Sequence, residues 1–152
     1  MRTATRSDQR LKSATRANLG FSLAKASQRW NELLAARFSE LGYPDVRPSY
    51  GSVLLPLFEE DGLRIGEIAS RARLSKQTMT TLVRLAERDG LVTRSADPRD
   101  GRATRVSLTR RAREFSSVAE MVVAGLEKRI EELLGAKRCA ELRATLTELM
   151  EL

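Results

Sequence analysis

Residues 75–84 contain a run of side chains suited to hydrogen bonding with base edges and phosphates: Ser75, Lys76, Gln77, Thr78, Thr80, Thr81 and Arg84. Glutamine offers a paired donor and acceptor for adenine, arginine forks onto guanine, and threonine presents a hydroxyl beside a methyl. A second group follows in Arg94, Arg99, Arg102 and Arg105, placed around a segment with Pro, Asp and Gly turn chemistry. An arginine-bearing tip suits phosphates or a minor groove, whose narrow negative field favours arginine. Asp97 and Asp100 share that turn. They fit if Asp100 orients an arginine or caps the turn, building the tip without touching the nucleic acid.

The elements that must position these groups follow from periodicity. Apolar residues Met79, Leu82, Val83 and Ala86 recur at three- and four-residue spacing, which predicts a helix over 75–89 with one buried face. That face turns Lys76, Gln77, Thr80, Thr81, Arg84 and Arg88 outward, while Leu85 fits neither side. Ser75 is a suitable N-cap and Gly90 a suitable residue just beyond the C-terminus. A short helix over 66–73 precedes it, buried through Ile68, Ala69 and Ala72. Strands over 91–95 and 103–108 follow; residues 63–65 are too short to predict a strand by themselves but could add a third rung to the wing sheet. Helix, turn, helix and hairpin in this order make a winged helix, whose second helix can enter a major groove.

The flanks read as helical. Leu19, Leu23, Ala26, Trp30, Leu33 or Leu34, and Phe38 form a stripe over about 17–41, ended by Gly42, Tyr43 and Pro44. A second helix is expected over 48–59, with a kink or early end at Pro56. Thr109 N-caps a long helix to about Leu134, with Phe115, Val118, Ala119, Val122, Leu126, Ile130 and Leu133 along one face. Gly135 interrupts, and a last helix carries Cys139, Leu142, Leu146 and Leu149. Residues 1–16, with Arg2, Arg6, Arg10, Lys12 and Arg16, form either a frayed arm or an exposed start to the first helix. The fold class is therefore mainly α with a small β wing. A winged helix-turn-helix over 47–109 is flanked by a helical region over 7–46 and 110–152.

Charge supports this division. The chain of 152 residues has a net charge of +7, but residues 64–113 hold thirteen Lys/Arg against five Asp/Glu, and the last 39 residues are net acidic. The excess positive charge sits where a phosphate-binding surface would need it. With no histidine, Ser–His–Asp and Cys–His catalysis and His-ligated metal sites are excluded. No phosphate loop or dinucleotide fingerprint is present, so no catalytic residue, cofactor or metal is assigned. One cysteine excludes an internal disulfide. No apolar run approaches a membrane span and the N-terminus lacks a signal-peptide core, so a soluble cytoplasmic protein without membrane contact is expected.

The run Asp97-Pro98-Arg99-Asp100-Gly101-Arg102, followed by Val106-Ser107-Leu108-Thr109, resembles the wing signature of the MarR family of bacterial transcription regulators. Glu67-Ile68-Ala69, Leu74-Ser75-Lys76 and Asp89-Gly90-Leu91-Val92 resemble its helix-turn-helix at matching spacing. The resemblance implies a homodimer in which the terminal helices interlock and two winged domains grip a pseudo-palindromic double-stranded DNA site. It further implies that Arg102 contacts DNA and that residues 75–84 lie in the major groove. Ala86 and Ala112 depart from the family's usual bulky residue and glycine. Cys139 lies far from the N-terminal position of peroxide-sensing members, so a buried, inert cysteine is expected. Family members often bind small aromatic or lipophilic compounds between the dimer helices and the winged domain. By position, Trp30, Phe38, Tyr50, Phe58 and Phe115 are the candidates to line such an effector pocket, although aromatics at helical spacing are more often core.

A homodimeric DNA-binding repressor is thus the leading expectation. A winged helix that binds RNA or a protein partner is the alternative, disfavoured because a protein-binding face would expose more apolar surface. An enzyme is remote.

Overall fold

The apolar faces anticipated above meet in one core that joins the helix-turn-helix to the flanking helices. A computed structural model describes residues 18–152; the basic run from Arg2 to Arg16 and the start of the 7–46 segment lie outside them. In chain order the elements are α1 (Leu19–Glu40), a 3-10 turn (Pro48–Tyr50), α2 (Gly51–Glu59), β1 (Leu63–Arg64), α3 (Ile65–Arg71), α4 (Lys76–Arg88), β2 (Val92–Ala96), β3 (Thr104–Leu108), α5 (Arg110–Leu134) and α6 (Ala136–Leu149). None of these helices is long and apolar enough to cross a membrane.

Helix α2 does not stop at Pro56. It runs three residues further, to Glu59, with the proline buried and its carbonyl accepting the Glu60 N–H at 3.0 Å. Helix α3 starts at Ile65, where Glu67 reaches back to the Arg64 N–H at 2.7 Å and caps the first turn. The turn between α3 and α4 passes through Arg73 at φ +53°, and Leu74 N–H closes onto the Ala69 carbonyl at 3.0 Å. Helix α4 buries Met79, Val83 and Ala86 completely, while Leu82 and Leu85 pack at the edge of the core. Leu85, which fitted neither face by period, thus joins the buried side. Gly90 follows the helix at φ +77°, the left-handed conformation that an L side chain resists.

The sheet has the order β1-β3-β2, antiparallel throughout. Leu63 pairs with Val106 and Val92 with Leu108, and all four side chains are buried. Beyond Val92 the outer strand is exposed, because the hairpin extends past the core that would bury its alternate residues.

Helix α5 opens on Thr109, whose hydroxyl accepts the Ala112 N–H at 3.2 Å. It contributes Ala112, Phe115, Val122 and Leu126 to the core, and Phe115 meets Phe38 of α1 edge to face at 4.9 Å between ring centroids. The stripe then runs out of cover. Leu19 and Leu23 on α1, Ile130 and Leu133 on α5, and Leu142 and Leu146 on α6 remain exposed, Leu133 at 80%.

Candidate nucleic-acid interface

Helix α4 is presented by a hydrogen-bonded N-terminus. Ser75 Oγ accepts the Thr78 N–H at 3.1 Å and donates to Thr78 Oγ1 at 2.8 Å. Thr80 and Thr81 donate their hydroxyl hydrogens back to the carbonyls of Lys76 and Gln77, at 2.8 and 3.2 Å. That back-bonding leaves these threonines with an oxygen acceptor and a methyl to offer a partner, not a donor. Ser75, Lys76, Gln77, Thr78, Thr81 and Arg84 are exposed and Thr80 is half-buried. The Gln77 amide and the Arg84 guanidinium make no hydrogen bond within the chain among the described residues, so their full donor and acceptor capacity points outward.

The wing is built around its two acids. Asp97, whose side chain is fully buried, accepts the Arg99 N–H on one oxygen at 2.8 Å. Its other oxygen takes Arg64 Nε at 2.7 Å and Arg105 Nε at 3.0 Å. The Arg99 N–H first, and then the two guanidiniums, hold this carboxyl well below the usual carboxylate range against the opposing effect of burial. Asp100 accepts the Arg102 N–H at 3.1 Å, and Ala103 N–H closes the tip onto the Asp100 carbonyl at 2.9 Å. The expectation for Asp100 is met through the turn, while Asp97 does the orienting of arginines.

The four wing arginines divide accordingly. Arg105 is half-buried and spent on Asp97 and on the Gly62 carbonyl at 3.1 Å. Arg94 bridges at 2.8 Å to Glu87 on α4, tying the outer strand to the helix. Arg99 and Arg102 are exposed and their guanidiniums have no partner among the described residues. Across residues 64–113, nine of the thirteen cations are paired with carboxylates. The four left over are Lys76, Arg84, Arg99 and Arg102. All four lie on the outer face of α4 or the tip of the wing. Lys76 and Arg102 also both line a cleft of about 480 Å³, whose walls include Arg64, Glu67 and Asp100.

This arrangement of helix, turn, exposed helix face and basic wing has close counterparts. A sequence model of the MarR family matches residues 45–103. An HTH-type transcriptional repressor of Mycobacterium tuberculosis is 30% identical over 133 residues, which cover 88% of this chain and 94% of the repressor. The chain belongs to the MarR family. It is a transcription regulator of that family, and its relatives are DNA-binding regulators, not enzymes. The structure of the transcriptional repressor CouR bound to a 23-mer DNA duplex superposes with a TM-score of 0.75 at 28% identity, covering 88% of this chain and 92% of that one. The exopolysaccharide II synthesis transcriptional activator ExpG of Rhizobium meliloti is 26% identical over 106 residues. Those residues make up 70% of this chain and 54% of the activator's length.

Within this MarR fold, two of the five candidate pocket aromatics, Phe38 and Phe115, meet directly, and they do so inside the core. Phe38, Tyr50 and Phe115 are buried in the core, and Phe58 packs half-buried against it. Tyr50 instead donates its hydroxyl to Asp89, at the C-terminus of α4. Burial, and then Asp89, push its phenol upward. Trp30 lines an open groove of about 710 Å³ together with Leu23, Ile130, Leu142, Leu146 and Met150. Cys139, expected to be buried, is half-exposed on the wall of the same groove. The stripe that identified α6 as amphipathic was the one signal that could have located it.

Proposed function

We propose that this MarR-family chain is a homodimeric repressor that grips a pseudo-palindromic operator, with residues 47–109 as its reading head and the 7–46 and 110–152 segments as its pairing region. The observation that carries the DNA reading is the selective pairing of charge. Over residues 64–113 only Lys76, Arg84, Arg99 and Arg102 lack a carboxylate partner among the described residues, and each is exposed on α4 or at the tip of the wing. An unpaired exposed cation is the kind that exchanges small counterions for DNA phosphates.

Roles follow from position. Gln77, Thr80, Thr81 and Arg84 face the major groove and read bases, Gln77 and Arg84 through donors and acceptors, the threonines through methyls and acceptors. Ser75, Lys76 and Thr78 sit at the N-terminus of α4, where phosphates are favoured. Arg99 and Arg102 take the backbone or the minor groove beside the wing, while Arg94 and Arg105 hold the wing in place. Repression is supported by the mycobacterial repressor, which aligns along nearly its whole length, and DNA binding by the duplex-bound CouR relative. A regulator of this kind works in the cytoplasm.

The exposed apolar surface shared by α1, α5 and α6 supports pairing with a second copy. A lipophilic or aromatic effector would enter at the groove holding Trp30, where it would compete with or reshape that pairing. The direct test is selection of bound duplexes from a random pool, followed by binding at two salt concentrations with RNA of the same sequence as a control. A two-fold consensus with half-sites roughly 10 bp apart and a steep loss of affinity with salt are expected. An asymmetric consensus, or RNA bound equally well, would remove this reading.

A further inference from the structure

The three carbonyls that follow the recognition helix are all taken by the head of α5. Asp89 O accepts Arg111 Nη1 at 2.6 Å, Gly90 O accepts the Thr109 hydroxyl at 2.7 Å, and Leu91 O accepts the Thr109 N–H at 3.0 Å. Arg111 does more than close this joint. Its two terminal nitrogens clamp Asp45, in the loop after α1, at 2.9 and 2.6 Å, and its guanidinium lies 5.5 Å from the Tyr43 ring centroid. Tyr43 in turn packs against Phe115 of α5 at 5.0 Å. One planar side chain therefore bridges the C-terminus of α4, the α1–α2 loop and α5. A lysine lacks the planar two-nitrogen fork that grips both oxygens of Asp45 in parallel while lying beside the Tyr43 ring, so it would not reproduce this geometry. Arg111 is paired with Asp45 and so is not one of the unpaired cations proposed to meet DNA.

Helix α5 is the arm between the reading head and the open apolar face at Ile130 and Leu133. At 1.5 Å per residue its 25 residues span ~37 Å. A tilt of about 5° at one end of such an arm displaces the other by about 3 Å, nearly the ~3.4 Å between successive base pairs. The stiffness of the joint at Arg111 is thus what converts a fixed pairing of two copies into a fixed distance between two recognition helices. Building on the two-fold operator reading above, we propose that Arg111 is a positioning residue that sets which half-site spacing the dimer accepts.

The experiment takes the duplex selected by the full-length wild-type chain and adds or removes one and two base pairs between its half-sites. Affinity is measured for wild type, Arg111→Gln, Arg111→Lys and Asp45→Asn, with thermal unfolding of each variant alongside. Wild type should lose about tenfold or more for a one-base-pair change, as base contacts in one half-site are forfeited. Arg111→Gln should flatten this profile to about threefold or less, while its affinity for unselected duplex and its salt slope stay at the wild-type value, since no phosphate-facing cation has changed. Arg111→Lys should fail to restore the sharp optimum. Asp45→Asn, which keeps the bond to Asp89 O, should flatten it partly. A uniform drop in affinity with an optimum of unchanged width would overturn the inference. Should Arg111→Gln not fold, Asp45→Asn decides by the same criterion. Wild-type binding with no spacing optimum overturns the two-fold operator reading and this inference with it. A sharp wild-type optimum that both variants retain overturns this inference alone.

Discussion

At the scale of single residues, the arginines of the wing look alike in the sequence and differ in what they can do. Arg102 has no carboxylate partner and stands at the tip, so Arg102→Ala should weaken specific and unselected duplexes alike and lower the salt slope by about 1. Quantitative gel shifts over a salt series test this, and an unchanged slope would take Arg102 out of the interface. Gln77→Ala should act differently, relaxing sequence preference at one position and costing ~1–3 kcal/mol on the selected duplex only. Asp97 belongs to the fold of the wing. Its carboxyl is lowered in the folded chain, so its stabilising effect is complete above the unfolded value of ~3.9 and is lost as pH falls through the folded one. Asp97→Asn should lower the melting temperature at neutral pH and fall less steeply than wild type below about pH 4; parallel melting curves across that range would count against it. The sequence made Asp97 look like a contradiction because its two guanidinium partners are remote. Arg64 lies 33 residues upstream and Arg105 eight downstream, and no local rule joins them. The same distance hid the division of labour among the arginines, and the bond from Tyr50 to an aspartate 39 residues away.

At the scale of elements, local chemistry was a better guide. Ser75 and Thr109 cap the helices that their types predict, and the period of Met79, Val83 and Ala86 orients α4 without reference to the rest of the chain. Gly90 is a case where one element's end depends on one dihedral. It sits at φ +77°, and a Cβ there would meet nothing within 4 Å. Gly90→Ala therefore isolates backbone strain from crowding and should destabilise by about 1–2 kcal/mol. Chemical denaturation should register this as a lower midpoint at constant slope, while a neutral result would mean that the α4 to β2 turn relaxes freely. Period alone could not say where burial stops. The stripes of α1 and α5 continue at the same spacing past Trp30 and Leu126, but the core beneath them ends there, and an apolar stripe looks the same whether its cover comes from this chain or another. Likewise Pro56 suggested a break that α2 absorbs, since the helix lasts only three more residues and loses one hydrogen bond.

At the scale of the whole molecule, the charge imbalance and the uncovered apolar surface lie in different parts of the chain and imply different partners. Over residues 64–113 the basic excess resolves into four cations with no carboxylate partner among the described residues, Lys76, Arg84, Arg99 and Arg102. The apolar excess lies on α1, α5 and α6, where Leu19, Leu133, Leu142 and Met150 are between 46% and 80% exposed. A lone monomer gains nothing from displaying so continuous a patch, whereas obligate homodimer interfaces are apolar in this way. Leu142 is a good probe because it lines the groove, is exposed, and sits on a helix with no buried residue of its own. Leu142→Glu places a charge where the proposed partner would have to bury it, and a desolvated, unpaired carboxylate opposes association by several kcal/mol. Sedimentation should then show wild type as a dimer and the variant as a monomer. Melting temperature should depend on concentration in wild type if the proposed pairing is linked to folding. The variant should keep weak, salt-sensitive binding to a single half-site through its intact reading head, but lose the advantage that a second half-site confers on wild type. A variant that stays dimeric and still prefers the full two-fold site would place the pairing surface elsewhere on the chain.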